Sequence, residues 1–182
     1  MLLALAAFER LGAATLSTDA VVHELLATDE VRGLLVEKFG PEIAPDGQVD
    51  RKKVAEQVFG GGDDRREWLE GILWPRVGQR MWDWRTGLAE RAEPPRVAVV
   101  EVPLLFESGM ESGFDATIAV VADESVREER AGARGHAGVA SRTARQLSQD
   151  EKSQRADFTV RNDGTLDELE RNLSEVIGNI EA

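Results

Sequence analysis

Val99-Val100-Glu101-Val102-Pro103-Leu104-Leu105-Phe106-Glu107 is the stretch on which the fold turns. With Val97 and Ala98 before it, the segment is a nearly continuous β-branched run halted by a proline. A run without polar alternation marks a strand buried on both faces, as in a parallel sheet covered by helices. Thr117 to Ala122 repeats that pattern, and Phe158 to Val160 and Ala13 to Leu16 are shorter instances. The expectation is an α/β protein whose parallel sheet is flanked by helices in three layers.

The helices follow from period and caps. Leu2, Leu5, Phe8 and Leu11 predict an opening helix that Gly12 ends. Ser17, Thr18 and Asp19 are all N-cap types ahead of a helix carrying Val21, Val22, Leu25 and Leu26. Thr28-Asp29 starts another with Val31, Leu34, Leu35 and Phe39 on one face, and Asp50 caps a third that Gly60-Gly61-Gly62 breaks. A long helical stretch begins near Arg65, and Pro75 is expected to interrupt or bend it. Asp123 is expected to cap a helix through Arg134. Thr165 and Glu168 form a capping box for the last helix, whose apolar row runs from Leu166 to Ile180.

Residues 29–90 therefore carry helical patterning alone, and Pro94-Pro95 closes them off. A helical lobe, 29–90, is expected to be inserted into an α/β body made of 1–28 and 91–182.

Composition narrows the function. The 182 residues hold 34 acidic against 22 basic side chains, a formal charge of -12, with 42% hydrophobic and 31% charged residues. Mean hydropathy is -0.31. This is an ordinary globular chain whose negative field disfavours nucleic acid and anionic membranes as partners. Cysteine is absent, so disulfides and thiolate sites are excluded, in keeping with a cytoplasmic protein. No apolar run approaches the ~20 residues needed to span a bilayer. With two histidines far apart and no H-E-x-x-H, no metal site is expected. Asp63 and Asp64 beside the glycine triplet would repel a phosphate there.

Several segments nevertheless fall into one pattern. They are Asp19 with its neighbours, Asp50-Arg51-Lys52-Lys53, Leu73-Trp74-Pro75, the turn Pro103 to Glu107, Glu151-Lys152 with Ala156-Asp157, and Asn162-Asp163-Gly164. In order and spacing they resemble the dephospho-coenzyme A kinase family, from about Leu2 to Val176. The resemblance implies a P-loop NTPase-like fold with an inserted substrate lobe and an arginine-rich lid at about 124–152. It implies transfer of the γ-phosphoryl of ATP, as its Mg2+ complex, to the ribose 3′-hydroxyl of dephospho-coenzyme A. Such chemistry needs positioning and charge neutralisation more than covalent help.

On that resemblance Asp19 is the candidate base, Arg130 the lid arginine and Asn162 an adenine contact, while the i, i+3, i+7 spacing of Arg127, Arg130 and Arg134 puts three guanidiniums on one helix face that is expected to close over phosphate oxygens, with Arg134 a second phosphate-side cation. Taken alone, Asp19 could equally cap a helix, Asn162 could be a turn residue, and Arg127, Arg130 and Arg134 could form a solvated face paired with Glu128 and Glu129. Trp68, Trp74, Trp82 and Trp84 read as packing residues. Ser17, Trp74 and Glu101 depart from the family's usual aspartate, histidine and aspartate.

The sequence contains no G-x-x-x-x-G-K-S/T, and none of Lys38, Lys52, Lys53 and Lys152 follows a glycine. Aligned to the family, Met1 falls at the motif's lysine. The first strand and its phosphate loop are thus expected ahead of Met1, through a late start codon, a shortened chain or genuine loss. The chain as it stands is expected to be catalytically dead or nearly so. Two other readings are another small P-loop nucleoside or nucleotide kinase, and a non-catalytic coenzyme-A-binding or adaptor protein that offers the Trp68–Trp84 stretch to a partner.

Overall fold

The computed structural model describes residues 2–133 and 146–180. Four strands and nine α-helices are present among them: α1 Leu2–Arg10, β1 Ala14–Ser17, α2 Thr18–Leu26, α3 Asp29–Phe39, α4 Arg51–Gly60, α5 Asp63–Ala89, β2 Ala98–Glu101, α6 Leu105–Ser108, β3 Ile118–Val121, α7 Glu124–Ala133, α8 Gln149–Arg155, β4 Phe158–Arg161 and α9 Leu166–Ile180. The chain divides into two compact units, one of Met1–Thr15 with Pro95–Ala182 and one of Leu16–Pro94.

The first unit is α/β. The Ala14 N–H donates to the Val97 carbonyl at 3.0 Å, where β1 joins β2. β3 and β4 run parallel, with Ile118 opposite Phe158 and Val121 opposite Arg161. At the head of that ladder the Asp157 carboxylate accepts from both the Thr117 N–H at 2.8 Å and its hydroxyl at 2.7 Å. The Asp157 N–H in turn donates to the Thr117 hydroxyl at 3.0 Å. This reciprocal exchange locks the register, because a one-residue slip would break every bond of it. Ala7 and Phe8 of α1 and Leu169, Leu173 and Val176 of α9 pack around Val160 as the core. α9 opens with its capping box, Glu168 accepting from the Thr165 N–H and Thr165 from the Glu168 N–H. Gly12, at φ +86, turns the chain out of α1 in a conformation that suits glycine.

The second unit is helical, built around Leu35, Val31 and Ile43, each about fully buried, with Leu25, Val58, Leu73 and Val77. Thr28 caps α3 by accepting from the Val31 N–H, and Asp50 caps α4 by accepting from the Lys52 and Lys53 N–H groups. The unit takes in α2 as well as residues 29–90.

Two expectations need correction. Pro75 does not interrupt α5, which runs on for 27 residues. Leu73 and Val77 are buried on either side of it, and this packing holds the helix through a residue that leaves the Gly71 carbonyl without its helical donor. Of the three N-cap types before α2, Ser17 takes the N-cap position without a side-chain capping bond, and Asp19 stands in the first turn. Among the tryptophans, Trp68 packs edge-on against Phe39 with centroids 5.3 Å apart, but Trp74 and Trp82 are 47% and 64% exposed. The polar side of α5 carries them outward, while Leu73, Val77 and Leu88 occupy its buried side.

Candidate active site

In the helical unit the abrupt passage from β1 to α2 places Asp19 in the first turn of α2, exposed, where the helix dipole favours an acidic residue. One turn further, His23 lies at the i+4 position on the same face. Its Nδ1 accepts from Arg51 Nη1 at 2.9 Å. Arginine cannot give up its proton, so this contact fixes Nδ1 as acceptor and leaves Nε2 to carry the ring hydrogen. Arg51 is itself set by the Asp50 cap at the start of α4. A carboxylate, an imidazole and a guanidinium thus share one region. Sequence reasoning singled out Asp19 and quoted Arg51 but missed His23, although its spacing from Asp19 was a usable signal.

In the α/β unit the expected nucleotide residues meet beyond the carboxyl ends of β3 and β4. Arg130, from α7, donates through Nη1 to the Asn162 carbonyl at 2.6 Å and through Nη2 to the Gly164 carbonyl at 3.2 Å. The two residues named separately from the sequence are therefore joined to each other, Arg130 holding the backbone of the loop that displays Asn162. A second clamp lies beside it. Arg161 Nη1 donates to Asp123 at 3.3 Å and to Asp163 at 3.1 Å, and Asp163 accepts from the Asp123 N–H at 2.6 Å. Gln149 completes the edge by exchanging two 2.9 Å hydrogen bonds with the backbone of Ala122. Arg127 pairs with Glu124 on its own helix at 2.5 Å, so it forms an internal ion pair. The shared face expected of Arg127, Arg130 and Arg134 is thereby divided at its first two members, and Arg134 lies outside the described residues.

The third feature follows β2. Pro103 ends the strand, and α6 turns Glu107 inward until its side chain is only 10% exposed. Glu107 Oε1 accepts from the Leu147 N–H at 2.9 Å and from Lys152 Nζ at 3.0 Å. Lys152 Nζ also donates to the Pro103 carbonyl at 2.9 Å. Burial pushes the Glu107 carboxyl up, but Lys152 and two backbone N–H groups outweigh it, and it is held below the usual glutamate range. Two segments quoted independently from the sequence, Pro103 to Glu107 and Glu151-Lys152, are one ion-paired joint. Ser148 and Glu151 cap α8 reciprocally, which sets Lys152 on its first turns.

Among the described residues no three His, Cys, Asp or Glu side chains converge as a metal site, and no helix is long and apolar enough to cross a membrane.

Comparison with known proteins bears on this arrangement. The family model described as Dephospho-CoA kinase matches residues 3–168. A dephospho-CoA kinase of Chlamydia abortus is 35% identical over 172 residues, covering 92% of this chain and 84% of its own length. That of Deinococcus radiodurans is 36% identical over 173 residues, covering 93% and 82%. A crystal structure from Thermus thermophilus superposes with a TM-score of 0.78 at 30% identity, covering 96% of this chain and 88% of that one. Dephospho-CoA kinase from Campylobacter jejuni, 22% identical, shares the fold with a TM-score of 0.62 over 98% and 90% of the two chains.

Proposed function

Because this chain belongs to the dephospho-CoA kinase family, we propose that it serves transfer of the ATP γ-phosphoryl group to the 3′-hydroxyl of dephospho-coenzyme A, in the cytoplasm. The similarity from residue 3 to residue 168 carries the reading, since it takes in every segment placed in the site. In this reading the α/β unit holds the nucleotide. Arg130 holds the 162–164 loop against the adenine, Asn162 contacts the base, and Arg134 reaches the phosphates. The helical unit takes the acceptor, with Asp19 accepting the hydroxyl proton or orienting the hydroxyl for in-line attack. A positioned carboxylate of this kind contributes about 10²–10⁴-fold. In this reading Mg2+ would arrive with ATP, as the complex of its phosphates.

The sequence contains no lysine-bearing phosphate loop, so the grip on the β and γ oxygens that such a loop supplies is not available from these residues. We expect the 182-residue polypeptide by itself to be close to inactive, and acceptor recognition is the property to measure. Titration calorimetry with ATP already saturating the nucleotide site should show saturable binding of dephospho-coenzyme A and none of AMP or adenosine at the same concentrations. Equal binding of AMP would move the chain to a nucleotide kinase, and no binding of any acceptor would sink the assignment.

A further inference from the structure

Trp74 and Trp82 are the two large apolar side chains that α5 leaves exposed. They border a continuous strip of the helix. At about 100° per residue, Gly71, Pro75, Gly78 and Trp82 fall within about 60° of one another, on the side turned away from Leu73, Val77 and Leu88. All four are exposed, and Trp74 flanks them. Their spacing of four, three and four residues is that of a helix–helix seam.

The two glycines have no explanation within the chain. A Cβ at Gly71 or Gly78 would meet nothing within 4 Å, and glycine is a poor helix residue, so alanine would suit α5 better at both positions. Two gaps beside two exposed indoles give this face the relief of a surface on which another body is laid.

We propose that the occupant is the same face of a second copy of this chain, the two α5 helices running antiparallel about a two-fold axis. The strip is complementary to itself in that direction. Reversal about its midpoint sets Trp82 over Gly71 of the second copy and Pro75 over its Gly78, so each bulky side chain meets a gap, twice over by symmetry. A parallel pair would instead set Trp82 on Trp82 and Gly71 on Gly71, bulk on bulk and gap on gap. Charge agrees with shape. Glu67 and Arg85 lie on the flank that carries Trp74, both exposed and both unpaired among the described residues. The same reversal brings Glu67 of one copy beside Arg85 of the other, closing both ends of the seam with opposite charges. The exposed parts of four indoles supply about 500 Å². With the flanks the contact reaches about 1,000 Å², the low end for a specific interface, which gives a reversible dimer with a dissociation constant of about 10 μM. The inference stands on the surface of α5 and does not depend on the kinase reading.

Sedimentation velocity of the full chain from about 1 to about 200 μM, which brackets that constant, should show a monomer–dimer transition. Gly71→Gln fills a gap that no atom of the chain occupies, so it should leave the thermal unfolding of dilute protein intact while weakening the dimer about tenfold or more. Trp82→Ala should weaken it to the same extent. The direction of packing is read separately. The chain has no cysteine, so Glu67→Cys protein mixed with Arg85→Cys protein should be joined by a short bismaleimide, and neither variant should be joined to itself. A chain that stays monomeric at about 200 μM would overturn the proposal and leave the face to a foreign partner. So would a dimer that Gly71→Gln does not weaken, a dimer whose mixed variants are not joined, or joining of Glu67→Cys to itself, which marks a parallel pair.

Discussion

Glu107 and Lys152, 3.0 Å apart, tie the turn after β2 to the first turns of α8. The pair is largely shielded from water, so removing one partner leaves a poorly solvated charge behind. Glu107→Gln keeps an acceptor for the Leu147 N–H but strands the ammonium, and it should cost about 3 kcal/mol. Lys152→Met should cost a similar amount. The double variant should recover part of the loss, and urea denaturation of all four proteins in a double-mutant cycle measures that coupling.

Arg130→Lys separates charge from geometry. An ammonium retains the positive charge yet cannot bridge two carbonyls in a fixed fork, as the guanidinium does for Asn162 and Gly164. Adenosine nucleotide affinity should fall about tenfold, the scale of one lost charge-assisted bond, with little change in melting temperature. Arg130→Ala should be no worse than lysine if the fork is what matters, and fluorescence titration with a labelled adenine nucleotide compares them.

The Thr117–Asp157 exchange makes the parallel ladder acid-sensitive. The Thr117 hydroxyl, then its N–H, hold the Asp157 carboxyl below the usual aspartate range. A carboxylate whose pKa is depressed on folding contributes stability above its unfolded pKa and loses it as pH falls through the folded value. Asp157→Asn should therefore destabilise the protein near neutrality, and the gap between the two proteins should close toward strong acid. Denaturation midpoints across an acidic pH series read this directly.

Pro75 is exposed inside a continuous helix. Alanine there restores an N–H to the α5 ladder without removing a buried contact, so Pro75→Ala should stabilise the chain by about 1–3 kcal/mol. Thermal unfolding tests it, and a loss of stability would mean that the ring fits α5 better than a regular turn does.

Strands and caps were legible because their signals are local: Val97 to Val102, Thr28, Asp50 and the Thr165–Glu168 box each act over a few residues. The uninterrupted α5 was not, since the proline's cost is offset by the burial of Leu73 and Val77 in the helical core, which no local signal records. The site divides in the same way. Asp19, Arg130 and Asn162 could be named from motif position, whereas the union of Arg130 with the Asn162 carbonyl could not, because a guanidinium bound to main chain leaves no mark on the residues it binds. Glu107 shows the same limit from the other side: its motif was visible, and its partner Lys152 emerged only in three dimensions.

The Ala14–Val97 hydrogen bond lies just outside the points where the chain leaves for the helical unit and returns from it. Both stems of that excursion are stapled together at the base, so lengthening, shortening or replacing everything between them leaves the staple untouched. Over evolutionary time the helical unit can behave as an exchangeable cassette, free to retool what it recognises while the sheet it springs from is inherited unchanged.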